Sequence, residues 1–415
     1  MQDNMTAIDA KKKLQQIENK LYGDSTIAKI WGVAVEYLDQ SKPPKKTPEY
    51  SFGRYQFRDI DHWTAGFFPG SLYCLLERCN NYPSRFPTDK VDRTKLEYAA
   101  RWWAEGLFEQ APRRDTHDLG FIIQPAFQRE YEYSKSSRSF DCLVTAAEAL
   151  ASRFDETVGC IRSWDSAVNK RYNITNKNTD FIVIIDNMCN LDMLYYVASK
   201  TGDLRLSTIA TTHAEVTLKN HFRDPEWSSF HVVNYDLKDG SVKAKITNQG
   251  YADETTWSRG QSWAILGFIE TYSWTKQRKF LEASVGLAKY FVSKLPDDGV
   301  PAWDFGAPDK DIKDTSAAMI CALGLIKIYE ATNDSEYLIS GLKLVSNTIS
   351  FAYTNESSFR KDETVDLGDR DTILANATIN NNPDTYERLV NHGLVYADYY
   401  FLAIGNKLLQ LGLIQ

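Results

Sequence analysis

Residues 314–350, DTSAAMICALGLIKIYEATNDSEYLISGLKLVSNTIS, decide the fold. Apolar residues recur at helical spacing over 314–331 and again over 335–350. Only Thr332-Asn333-Asp334 separates the two runs, so the helices must fold back on each other as an αα-hairpin. The same plan recurs twice upstream. Lys200-Thr201-Gly202-Asp203 precedes LRLSTIATTHAEVTL, and Thr275-Lys276-Gln277-Arg278 precedes KFLEASVGLAKYFVSKL. The units lie about 55–75 residues apart, a period that marks repeated helical pairs. Further helical spacing runs over 62–78, 93–108, 140–153, 187–200, 257–275, 279–294 and 391–412. About six pairs use the whole chain. No Pro/Gly/Ser-rich linker divides it, so a single domain over 1–415 is expected. Such pairs build an open solenoid or a closed toroid. Polar residues crowd into the loops between helices, which favours the toroid.

Composition narrows the functional class. The 415 residues carry a net charge of −7, with 43% hydrophobic and 25% charged residues, as in ordinary globular proteins. That charge leaves no general basic footprint for nucleic acid. Aromatic residues are abundant, with 10 Trp, 23 Tyr and 20 Phe, and such residues line ligand clefts as well as cores. The six Cys (74, 79, 142, 160, 189 and 321) form no C-x-x-C pair and read as buried, reduced thiols of a cytoplasmic protein. The polar start, Met1 to Lys13, has no apolar signal core. No apolar run is long enough to span a membrane. The N-x-S/T triplets at Asn4, Asn173, Asn333, Asn355 and Asn376 therefore read as unmodified. His62, His213, His221 and His392 lack metal-ligand spacing and read as structural, and no metal or cofactor motif is present. Hydrolase-elbow, phosphate-loop and dinucleotide fingerprints are also missing.

The polar chemistry gathers in a few stretches. FHVVNYDLK and SVKAKIT flank Asp239-Gly240, a type I′ hairpin signal, and the hairpin brings His231 and Gln249 together at its outer ends. Asp118, in HDLGF, reads either as a helix N-cap or as a site carboxylate. Asp186 ends the apolar run FIVII at 181–185 and begins a helical pattern. It too is a candidate N-cap, but its apolar approach would desolvate it and raise its pKa, as a general acid requires. Two carboxylates at separate helix starts can face each other across a cleft, the usual equipment of glycosidic chemistry. Arg259 and Trp263 share a helix face at i, i+4, with Trp257 pointing elsewhere. Arg259 is suited to a carboxylate and Trp263 to a sugar ring, or the arginine forms a cation–π pair within the packing.

Taken in order, these stretches resemble the unsaturated glucuronyl hydrolases of glycoside hydrolase family 88. The matching pieces are WTAGFFPGSL (63–72), HDLGF (117–121), IIDNMCNLDML (184–194) and NQGYADETTWSRGQSWA (248–264). WDFGAPD (303–309), DTSAA (314–318) and HGLVYADYYFL (392–402) complete the set. The resemblance implies an all-α (α/α)6 barrel with a short β-hairpin in its loops. It also implies removal of a 4,5-unsaturated uronic acid from oligosaccharides made by polysaccharide lyases, through hydration of the C4=C5 enol ether, without metal or cofactor. Asp186 aligns with the family's general acid/base and Asp118 with the second aspartate. His231, Gln249, Arg259 and Trp263 align with substrate-binding groups, and Trp63 and Phe68 lie in the motif that supplies aromatic contacts. Ala65 and Asn248 depart from the family's usual residues and bear on sugar preference.

The expected partner is an unsaturated uronyl oligosaccharide, with neither nucleic acid nor membrane involved; oligomeric state has no signal in the sequence. The rival readings are a sister family acting on unsaturated galacturonate, a sugar epimerase on the same barrel using paired histidines, and a non-catalytic sugar-binding protein.

Overall fold

The computed structural model describes residues 2–38, 42–361 and 364–414. Among these residues the chain forms thirteen α-helices. They are α1 (Gln2–Tyr22), α2 (Asp24–Glu36), α3 (Phe67–Asn81), α4 (Arg93–Glu105), α5 (Leu119–Ser134), α6 (Ser137–Ala151) and α7 (Asn187–Thr201). The remainder are α8 (Leu204–Asn220), α9 (Ser258–Thr275), α10 (Arg278–Ser293), α11 (Thr315–Thr332), α12 (Ser335–Ala352) and α13 (Val395–Gln410). Helices α1, α2 and α5 lie outside the expected segments. Much of α1 is charged, which blurs its apolar stripe, and α5 contains Pro125, which reads as a breaker.

Four hairpins share one turn chemistry. Thr201-Gly202-Asp203, Thr275-Lys276-Gln277 and Thr332-Asn333-Asp334 are the expected joins, and Ser134-Lys135-Ser136 between α5 and α6 is a fourth. In each, the middle residue is left-handed (φ +78°, +54°, +58° and +56° respectively) and its N–H closes the preceding helix. In each, the preceding hydroxyl accepts the N–H of the next residue at 3.2 Å. Asp203, Asp334 and Ser136 then cap the following helix through their side chains. A two-residue reversal leaves no freedom but an antiparallel pair.

The pairs close into a ring. Helices α3, α5, α7, α9, α11 and α13 each pack on the next, and α13 returns to α3. Helices α4, α6, α8, α10 and α12 back the inner helix that precedes each of them, and α1 packs against α12 and α13. The fold is an (α/α)6 barrel, as the sequence led us to expect. Burial follows from this geometry. Inner α11 is buried on every side from Thr315 to Ile326. Outer α10 buries only a stripe, Phe280, Ala283, Ser284, Leu287, Ala288 and Phe291, at helical spacing. No helix among the described residues is long and apolar enough to cross a membrane.

Two three-stranded sheets sit at one end of the barrel. One joins β1 (Lys46–Ser51), β2 (Tyr55–Asp59) and the short β6 (Gly393–Leu394), with β1 in the middle. The other contains β3 (Asp180–Ile184), β4 (Val232–Asp236) and β5 (Val242–Ile246), in the order β5-β4-β3. The expected hairpin is thus present, but it is part of a larger sheet. Its turn is not type I′, because Gly240 is left-handed and Asp239 is not. The Gly240 N–H reaches back to the Asp236 carbonyl at 2.8 Å, giving a longer loop with one glycine-dependent residue.

Arg78 of α3 fastens the ring where its first and last helices meet. Fully buried, it donates to the Leu21 carbonyl of α1 (2.7 Å) and to the Leu402 carbonyl (2.8 Å) and Asn406 Oδ1 (2.5 Å) of α13. Removing it strands three buried acceptors, each costing about 1–3 kcal/mol. Arg78→Met is expected to lower unfolding free energy in urea titration by about 3–5 kcal/mol, whereas an exposed arginine such as Arg278 tolerates the same change within about 0.5 kcal/mol.

Candidate active site

Because the outer helices α4, α6, α8, α10 and α12 each run back toward the start of the next inner helix, all six inner helices point the same way. Their N-termini converge at the end that carries the two sheets, and their aligned dipoles make that end attractive to an anion. The sequence-derived candidates are drawn together there. Sheet pairing does much of the placing. Strand β3 pairs antiparallel with β4 (Val232↔Ile184), and the Ile185 N–H donates to the His231 carbonyl at 3.0 Å. Asp186, the next residue, therefore leaves the sheet beside His231. The start of α5 then closes on α7. Gly120 allows this, since a Cβ there would lie 2.7 Å from the Asn190 Cα, and Asn190 Oδ1 accepts the Phe121 N–H at 3.0 Å.

Asp118 and Asp186 both stand at N-cap positions, yet neither side chain caps its helix. Asp92, Asp203, Asp314 and Asp334 at the same position all do. The N-cap alternative for the two candidates is thereby removed. Asp118 is held by Thr116, whose hydroxyl donates to Oδ2 at 2.7 Å, and lies 3.2 Å from His117 Nε2 through Oδ1. Asp186 is half-buried, and its Oδ1 is buried with no protein partner. Burial pushes its carboxyl up to about 7; the Arg259 guanidinium opposes this and the Asp118 charge adds to it.

His231 Nδ1 faces the backbone N–H groups of Asn248 (3.1 Å) and Gln249 (3.3 Å), so it is the acceptor and Nε2 carries the proton. Burial lowers its pKa to about 3, which keeps the ring neutral, and its Nε2 is buried without a protein partner. The hairpin thus joins His231 to Gln249 as expected. The Gln249 side chain donates from Nε2 to the Ile379 carbonyl at 3.2 Å.

Arg259 is 1% exposed and pairs with the fully buried Asp314. It also donates to the carbonyls of Thr378 (2.6 Å) and Ile379 (2.8 Å), leaving Nε without a protein partner. Its guanidinium lies 4.5 Å over the Trp257 ring. This corrects the helical-wheel expectation. Trp257 is the extended residue ahead of α9 (ψ 118°), so helical spacing does not govern its direction, and the cation–π alternative holds with Trp257.

Trp263, with 0% exposure, lies 4.9 Å from Phe121 and 5.6 Å from Tyr400 as part of an aromatic floor across the ring. Trp63, half-buried, stands above it, 5.1 Å from Tyr396 and 5.7 Å from Phe121. Phe68 does not join them. It is fully buried 4.7 Å from Trp103 of α4, between the two rings of helices, because a step of one residue turns a side chain about 100° round a helix. Its neighbour Phe67 faces the interior, 5.7 Å from Tyr396.

The sequence reading also passed over Asp314 and Tyr396. Each sits in a quoted motif at the start of an inner helix, but only the closed ring brings them to Arg259. A cavity of about 660 Å³ opens at the opposite end of the barrel and is lined by none of the candidate residues. Its charged groups bond with one another, as in Lys327–Glu270 (2.8 Å), and the helix C-termini there disfavour an anion.

Comparison with known proteins accords with this geometry. No family model matches the chain. An unsaturated glucuronyl hydrolase of Formosa agariphila is 35% identical over 346 residues, covering 82% of this chain and 78% of that protein. An unsaturated chondroitin disaccharide hydrolase of Streptococcus pyogenes is 28% identical over 301 residues, covering 72% of this chain and 71% of its own. The crystal structure of an unsaturated glucuronyl hydrolase specific for heparin is similar at a TM-score of 0.77 and 26% identity, covering 97% of this chain and 99% of that one. With the barrel, the ordered motifs and this degree of identity in agreement, the chain belongs to the unsaturated glucuronyl hydrolases of glycoside hydrolase family 88.

Proposed function

We propose that the chain removes the 4,5-unsaturated uronic acid from the non-reducing end of lyase-generated oligosaccharides by hydrating the C4=C5 enol ether. The observation that carries this reading is Asp186, a largely desolvated carboxyl held up to about 7 beside Asp118, with neither group used for capping. Near neutral pH such a group can give a proton and take one back. In this reading Asp186 protonates C4, and positive charge develops at C5 and the ring oxygen. Water adds its oxygen to C5 and returns a proton to Asp186. The hemiketal then opens by breaking the bond between C5 and the ring oxygen, which leaves a ketone at C5. The glycosidic bond breaks at C1, releasing the shortened sugar as an alcohol and the uronate as a keto-aldehyde.

Asp118 binds sugar hydroxyls, and its charge keeps a proton on Asp186. His231 offers its Nε2–H to the substrate, and Gln249 offers its amide oxygen. Arg259 supplies fixed positive charge for the uronate carboxylate, aided by the converging helix N-termini. Trp63 and Trp263 supply the apolar wall and floor. The whole chain, 1–415, acts as one catalytic domain, since α1 and α13 complete the same ring. Six buried thiols suit a reducing, cytoplasmic setting.

Asp186→Asn is expected to abolish turnover, by about 10³-fold or more, while disaccharide binding by calorimetry persists. Loss of the ultraviolet absorbance of the enol carboxylate reads the rate, and retained turnover in the variant contradicts the assignment. The acid form of Asp186 is the active one, so kcat/KM is expected to fall as pH rises through about 7, roughly tenfold per unit. A rate that climbs steadily from pH 6 to 9 contradicts it.

A further inference from the structure

Outer helix α8 carries an anomaly. An outer helix should bury apolar residues, as α10 does, yet His213, Thr217 and the capping His221 lie one turn apart along α8 with 0% exposure each. Their hydrogen bonds are only half made. His213 Nδ1 accepts the Ile161 N–H at 3.0 Å, so the ring proton is on Nε2, which is buried with no protein partner. His221 Nε2 lies 3.3 Å from the Val183 carbonyl, so its Nδ1 is a bare acceptor, also without a protein partner. The Thr217 hydroxyl has none either. Burial lowers both imidazoles to about 3, so each ring is neutral.

The groups opposite are incomplete in a complementary way. Asn187, the residue after Asp186, donates from Nδ2 to the Ile161 carbonyl at 3.2 Å, which leaves its Oδ1 unpartnered. His117 turns Nε2 toward Asp118, which leaves Nδ1 as an unpartnered acceptor. His117 faces Asp118 and Arg153 and lies within hydrogen-bonding reach of the Asn187 amide, and His213 faces His221 and His117. With the ring proton on Nε2 toward Asp118, His117 Nδ1 and Asn187 Oδ1 are both acceptors and cannot satisfy each other directly. A molecule with two protons to give and a lone pair to receive can serve both, and His213 Nε2–H can donate to it. Water has that pattern, and buried water commonly makes about three such bonds.

We propose that His213, with Thr217 and His221, holds internal water that bridges His117 Nδ1 and Asn187 Oδ1, making α8 a source of positioning residues for the reaction. The water fixes the His117 tautomer. His117 then presents Nε2–H to Asp118 and keeps that carboxylate aimed into the site. The proposal rests on the roles given above to Asp118 and Asp186.

The test uses three variants of the full chain. His213→Leu removes the donor, Thr217→Val removes one hydroxyl without changing shape, and His213→Gln keeps an amide N–H near the ring position. All are compared by near-ultraviolet circular dichroism and by pH profiles on an unsaturated uronyl disaccharide. In folded His213→Leu and Thr217→Val, kcat is expected to fall about tenfold, with KM within about threefold. Their alkaline limb should move to lower pH, because the charge of a mispositioned Asp118 no longer holds the proton on Asp186. His213→Gln should stay within about threefold of the unaltered enzyme in rate.

A high-resolution crystal structure should show water within hydrogen-bonding distance of His117 Nδ1, Asn187 Oδ1 and His213 Nε2. An unmoved limb in both folded variants, equal damage in His213→Gln and His213→Leu, or a dry site overturns the proposal. If His213→Leu does not fold, Thr217→Val and the crystal structure decide. Failure of the underlying reading is distinguishable, since it shows as an unaltered enzyme that leaves the enol absorbance intact or an Asp186→Asn variant that removes it.

Discussion

Ring closure is the constraint on which everything else depends. Four of the helix pairs turn back within two residues, and each outer helix from α4 to α12 returns the chain to the start of the next inner helix, so the ring keeps all inner helices parallel. Their N-termini then share one face of the molecule, and so do the first residues of each helix. Asp118, Asp186, Arg259, Asp314 and Tyr396 are far apart in sequence but close in space for this reason alone. The turns that enforce it are small: one left-handed residue, one hydroxyl and usually one capping side chain.

Within that frame, the site works by withholding partners. Most aspartates at helix starts in this chain satisfy backbone N–H groups; Asp118 and Asp186 do not. A desolvated carboxyl with an unpartnered oxygen holds its proton, which suits Asp186 to acid chemistry near neutrality. The surrounding charges are fixed rather than free. Arg259 is tied to Asp314 and to two carbonyls, so its guanidinium is a fixed charge rather than a mobile fork. His231 is neutral, with its donor atom Nε2 buried and unpartnered.

Much of this was legible from residues. The joins at 201–203, 275–277 and 332–334 were readable because turn chemistry is local. The run FIVII pointed to a desolvated carboxyl at Asp186 because desolvation by a preceding strand is also local. The join at 134–136 escaped because Pro125 masks the helix before it. Phe67 was passed over for Phe68 because which side of α3 faces inward depends on the whole ring. Trp257 was misdirected because the helix begins one residue later, and a helical wheel says nothing about an extended residue. The Asp314–Arg259 pair spans 55 residues, and only closure brings it together. The α8 histidines looked merely structural, since nothing in their spacing shows what they face.

The central claim is that a buried acid hydrates the C4=C5 bond rather than that water displaces at C1. Proton NMR of the reaction in D2O tests it most directly. The account predicts that the vinyl proton signal disappears at the rate of sugar release, with one deuteron delivered stereospecifically to C4. Release of free unsaturated uronate that still carries its vinyl proton, ahead of any deuterium at C4, would contradict it.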